Sequence, residues 1–112
     1  MHEMSITESL LDISLAEAQK AGAKRISVIH LRIGALTGVV ADSVAFYLDF
    51  LAKGTLAEGA RLATTVVPAT LSCAACNTTF PVDGPAFSCP TCRGQVQIAG
   101  GRELFIESLE VE

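Results

Sequence analysis

The chain has 112 residues, 50% of them hydrophobic, with five phenylalanines, one tyrosine, no tryptophan and a net charge of -4. That composition excludes a disordered chain and leaves room for one ordinary domain with a small appendage. The acidic balance gives no electrostatic footprint for nucleic acid, no apolar run approaches the roughly 20 residues that span a bilayer, and the N-terminus lacks a secretory pattern, so a cytoplasmic protein is expected.

In chain order, Ser5-Ile6-Thr7-Glu8 reads as a capping box that starts a helix at Ser5 and carries it to Ala21, with Gly22 as the C-cap. Its apolar stripe, Ile6, Leu10 and Ile13 with Leu11, Leu15 and Ala18, is expected to face a core. Arg25 to Gly34 is a β-branched run of strand length, with Ser27, Ile29, Leu31 and Ile33 on one face and Ile26, Val28, His30 and Arg32 on the other. Gly34 and Gly38 bracket a turn-rich loop. Helical spacing resumes from Asp42 to Lys53 through Val44, Tyr47, Leu48 and Leu51, and Gly54 closes it. A second strand, Arg61 to Val67, stops at Pro68, and a third, Glu103 to Val111, follows the Gly100-Gly101 hinge.

The strand, helix, strand succession favours a crossover connection that packs one sheet face against both helices. The expected fold is α+β: two helices on a three-stranded sheet, with a small zinc-ribbon-like four-cysteine module inserted before the last strand. Residues 1–68 with 102–112 form the α/β domain in this reading, and residues 69–101 the module.

All four cysteines lie in that insert as two C-x2-C pairs, Cys73/Cys76 and Cys89/Cys92. Zn2+ favours four tetrahedral ligands, and a C-x2-C turn lets two sulfurs close on one ion. Disulfides or a redox dithiol are the alternatives. A shell of four thiolates leaves no position for substrate, so such a metal reads as structural. Residues 77–88 are long enough to form a small hairpin, with Pro81, Asp83-Gly84 and Pro85 as turn residues. The insert has few large apolar residues, so metal binding is expected to supply its folding energy. Two other functions fit the cysteines: a zinc-ribbon adaptor, and a rubredoxin-like electron carrier suggested by Cys89-Pro90-x-Cys92 with Gly94.

Elsewhere, His30 reads as a structural histidine within a strand, and Glu103, Glu107, Glu110 and Glu112 as the solvated side of an edge strand and a polar tail. No nucleophile and base pairing and no phosphate-binding glycine loop is present, so the protein is not expected to be an enzyme.

Met1-His2-Glu3-Met4-Ser5, Ile33-Gly34-Ala35-Leu36-Thr37-Gly38-Val39, Ala57-Glu58-Gly59-Ala60, the two cysteine pairs and Gly101-Arg102-Glu103-Leu104 together resemble the HypA/HybF nickel chaperones of hydrogenase maturation. The likeness spans essentially the whole chain. It implies a small metallochaperone that helps load Ni2+ into the large subunit of nickel-iron hydrogenase with a GTP-hydrolysing partner, HypB, and that is a monomer or weak homodimer. It further implies a nickel site at Met1, through its amine, His2 and Glu3, and a structural zinc at Cys73, Cys76, Cys89 and Cys92. Relatives often have a proline near the start of the second helix, where this chain reads Val40-Ala41-Asp42, and some carry histidines in the insert, where this chain has none.

The chemistry of the tripeptide suits that role. The α-amine, the His2 backbone nitrogen and the His2 imidazole are adjacent donors closing small chelate rings, an arrangement of planar nitrogens that Ni2+ favours. The fourth donor is either the Glu3 backbone nitrogen or its carboxylate. The exposed side of the first helix, with Glu8 and Asp12, is the surface expected to meet the partner.

Overall fold

The computed structural model describes residues 3–82, 89 and 94–112. The elements are α1 (Glu3–Lys20), β1 (Ile26–Gly34), α2 (Ala41–Leu51), β2 (Arg61–Val67), β3 (Thr70–Cys73), β4 (Thr79–Pro81), β5 (Val96–Gly100) and β6 (Leu104–Val111), with a short 3-10 turn at Ala35–Thr37. They make two three-stranded sheets, β2-β1-β6 and β4-β3-β5. The first is mixed: β2 runs parallel to β1 after the α2 crossover, and β6 runs antiparallel on the other side. The α+β architecture, with a second small unit inserted before the last strand, is as expected.

Helix α1 departs from the capping-box reading. Glu3 is already helical, so Ser5 lies inside the first turns and is not the N-cap. The buried face is Thr7, Leu10, Leu11, Ser14 and Ala18, which leaves Ile13 exposed, against the expectation that it faces the core. Two polar residues take core positions because their hydroxyls satisfy themselves within the helix: Thr7 donates to the Glu3 carbonyl at 2.6 Å, and Ser14 to that of Leu10 at 2.8 Å. The helix ends as expected. Gly22 adopts φ 69°, its amide bonds to the Gln19 carbonyl and the Ala23 amide bonds to that of Ala18, a Schellman closure.

Strand β1 also departs from simple alternation. Ile29, Leu31 and Ile33 are buried as expected, but so are Ile26 and Val28, which the alternation put on the opposite face. A register shift between Ile26 and Val28 in the ladder to β6 accounts for Ile26: the extra residue, Ser27, re-phases the strand end. A second shift lies between His30 and Leu31, where Glu107 is the extra residue of β6.

The core lies between this sheet and both helices. One cluster joins Leu11 and Ala18 of α1, Ile26 and Ile29 of β1, Leu48 and Ala52 near α2, and Ala57 and Ala60 of the loop before β2. A second joins Leu10, Leu31, Ile33 and Val44, and Leu62 and Ile106 pack against both. The opposite sheet face meets solvent. There the Arg32 guanidinium donates to Glu107 at 2.7 Å, and His30 shares a 2.6 Å hydrogen bond with Glu110. His30 is therefore a partnered strand residue, as expected, and Glu107 and Glu110 are fixed by cations, not simply solvated.

Residues 69–101 hold the second sheet, in which β3 is central and both neighbours run antiparallel to it. Thr79–Pro81 pairs with β3, so Pro81 is a strand residue, not the turn expected of it. Asp83-Gly84 and Pro85 lie outside the described residues. Among the described residues of this stretch, Leu71 is the one buried aliphatic side chain, beside Cys73 and Cys89. So small an apolar core leaves most of the stabilisation to a cross-link.

Candidate metal centre

The cysteine site grows from strand ends. Cys73 is the last residue of β3, and the chain then turns so that the Asn77 amide bonds to the Cys73 carbonyl and the Cys73 amide to the Thr78 carbonyl, both at 2.9 Å. Asn77 takes φ 58°, the left-handed conformation that asparagine tolerates better than most residues. Around the second pair, the Cys89 amide bonds to the Gly94 carbonyl at 3.2 Å. Both first cysteines thus donate to the carbonyl five residues on.

The Sγ atoms of Cys73, Cys76 and Cys89 lie within 4.8 Å of one another, with Cys76 and Cys89 3.6 Å apart. A disulfide requires about 2.05 Å, whereas zinc-sulfur bonds of about 2.3 Å in a tetrahedron set sulfurs about 3.8 Å apart. The spacing therefore fits thiolates around one ion and not a Cys76–Cys89 bridge. Cys73 and Cys89 are buried and Cys76 is exposed. Cys92 lies outside the described residues. Thr78 belongs to the site although spacing did not single it out: its Oγ1 lies 3.0 Å from the Cys76 sulfur. Hydrogen bonding from Thr78, side chain first and backbone second, holds the Cys76 thiol below its ordinary range, which favours the thiolate that binds metal.

Glu3 is half-buried at the start of α1. Met1 and His2 lie outside the described residues. His30 sits on the solvent face of the sheet with Glu110, and among the described residues it joins no cluster of metal-ligating side chains.

The junction between the two sheets is closely packed backbone. The Gly34 amide donates to the Glu103 carbonyl, the Leu36 amide to that of Gly101 at 2.7 Å, and the Gly101 amide to the Glu103 carboxylate at 2.6 Å. Glu103 is therefore a structural acceptor and not part of a polar strand face.

The family described as "Hydrogenase/urease nickel incorporation, metallochaperone, hypA" matches residues 1–111. A hydrogenase maturation factor HypA from Dehalococcoides mccartyi is 46% identical over 113 residues, covering 100% of this chain and 95% of that protein. Another, from Caldanaerobacter subterraneus subsp. tengcongensis, is 41% identical over 114 residues and covers 100% of both. The solution structure of the Ni metallochaperone HypA from Helicobacter pylori aligns with a TM-score of 0.68 at 25% identity, covering 99% of this chain and 97% of that one. The chain belongs to the HypA family of nickel metallochaperones for hydrogenase maturation.

Proposed function

We propose that the protein binds Ni2+ at its N-terminus and delivers it during maturation of nickel-iron hydrogenase. The nickel donors are the Met1 amine, His2 and Glu3, and Cys73, Cys76, Cys89 and Cys92 hold a structural zinc. The observation that carries this reading is the family match over residues 1–111, which takes in the Met-His-Glu start and both cysteine pairs. The helix start adds support. As the first residue of α1, Glu3 has a backbone N-H with no intrahelical acceptor, so that nitrogen can lose its proton to nickel without breaking a helical bond.

Each nickel donor must lack a proton to bind, and an α-amine titrates near pH 8, so affinity falls with pH and release is proton-assisted. The cysteine site fits zinc: three sulfurs lie within 4.8 Å of one another, one pair at 3.6 Å, and Cys92 completes the shell. Zinc there closes residues 69–101 into a module whose core is otherwise too small. Residues 1–68 with 102–112 form the nickel-binding domain. The protein works in the cytoplasm as a monomer or weak homodimer and catalyses no reaction itself. GTP hydrolysis belongs to the partner, HypB, and the hydrogenase large subunit receives the ion.

Calorimetric nickel titration tests the site, comparing the native chain with His2→Ala and with a variant extended by one residue before Met1. Both changes should abolish tight binding, because one removes the imidazole and the other moves the amine out of the chelate. Unchanged affinity in both would overturn the N-terminal assignment.

A further inference from the structure

We propose that Thr7 is a positioning residue for nickel: its buried hydroxyl holds the Glu3 carbonyl and so keeps the first turn of α1 formed up to the Glu3 amide that meets the ion. The proposal rests on the N-terminal nickel assignment and adds to it a residue that does not itself touch the ion.

Thr7 is 1% exposed, and its Oγ1 donates to the Glu3 carbonyl at 2.6 Å. Glu3 is the first residue of α1. Its own N-H has no intrahelical acceptor, so it joins the helical ladder through its carbonyl alone, by way of the Thr7 backbone N-H four residues on. The hydroxyl doubles that tie at a helix end, where fraying is the rule. The rest of the first turn is thinly anchored. Met4 and Ser5 are exposed, and Ile6 is the apolar side chain that packs, with Leu104, against the cluster of Leu10, Leu31, Ile33 and Val44.

A nickel chelate through consecutive backbone nitrogens fixes the dihedrals of the residues it joins, so a donor already held in place binds at a lower ordering cost. With its carbonyl side held in helical geometry, Glu3 directs its N-H out of the N-terminal end of α1. Valine would fill the same buried space, so packing alone does not call for a hydroxyl at this position. Ser14 supplies the comparison: it makes the same kind of buried bond, to the Leu10 carbonyl at 2.8 Å, in the middle of the helix and away from every nickel donor.

The test measures nickel affinity by competition with a chromophoric chelator in the full-length, zinc-loaded protein. Thr7→Val should weaken nickel about three- to tenfold, the worth of one hydrogen bond. Thr7→Ser should restore it, and Ser14→Ala should leave it unchanged. Thr7→Val strands no buried group, because the Glu3 carbonyl keeps its backbone N-H partner, so the urea midpoint should hold while nickel weakens. In the nickel-free protein the amide of residue 7 should exchange faster in Thr7→Val than in the native chain. Thr7→Ala, which empties the space instead of refilling it, should show the same loss of nickel. Unchanged affinity in Thr7→Val, an equal loss in Ser14→Ala, or no restoration by Thr7→Ser would overturn the proposal, provided that His2→Ala abolishes tight binding. Tight binding retained in His2→Ala would overturn the N-terminal assignment and the role of Thr7 with it.

Discussion

Gly34 lies so close to Gly101 that a methyl group on Gly34 would overlap the Gly101 carbonyl. This approach lets the end of β1 bond to the segment leading into β6, and it forms the seam between the two sheets. A side chain on Gly101 would meet the Ala69 backbone at 2.7 Å, and its φ of 106° disfavours one in any case. The contact is backbone against backbone, so no rotamer change can relieve it. Gly34→Ala should therefore destabilise the protein by about 2 kcal/mol or more, read from the urea midpoint. An unchanged midpoint would show that the seam yields.

Glu103 stabilises the same seam through charge. Its own backbone N-H first, and that of Gly101 second, hold its carboxyl below the usual glutamate range. A group whose folded pKa is depressed contributes stability above its unfolded pKa and loses it as pH falls through the folded value. The contribution should be full at neutral pH and fade below about pH 4.3. Comparing urea midpoints of the native chain and Glu103→Gln across that range should show a gap at pH 7 that closes on acidification. A gap independent of pH would show that the carboxylate charge is not what matters.

Thr78 should tune the cysteine site without ligating it. Partners of metal ligands commonly matter 10–100-fold in affinity. Thr78→Val, which removes the hydroxyl near the Cys76 sulfur, should weaken zinc by about tenfold in competition with a chromophoric chelator.

Loss of a cysteine should be local. Cys73→Ser, or removal of the metal, is expected to disorder residues 69–101 while the core of Leu11, Ile29 and Leu48 persists, since those residues draw nothing from the insert. Circular dichroism should retain the helical signal while amide dispersion of the insert collapses. Global unfolding would contradict two separable modules.

The main fold was legible because its signals are periodic and strong: β-branched runs for β1 and β2, and Val44 and Leu48 one turn apart in α2. Three features were not. Ser5 and Glu8 match a capping box, but a helix already begun at Glu3 leaves no cap to make, and Thr7 and Ser14 take buried places because back-bonding satisfies their hydroxyls. The bulge at Ser27 depends on pairing with a strand some 80 residues away, which no local window contains. The strands of the insert are three to five residues long, too short for alternation to register. In the candidate site, C-x2-C spacing found the sulfurs, while Thr78 became a member only through the turn that aims its hydroxyl at Cys76.

Native mass spectrometry of the metal-loaded protein tests the central claim most directly, by counting ions per chain in the native form, His2→Ala and His30→Ala. One zinc and one nickel are predicted for the native form and for His30→Ala, and one zinc alone for His2→Ala. Nickel retained in His2→Ala and lost in His30→Ala would contradict the account.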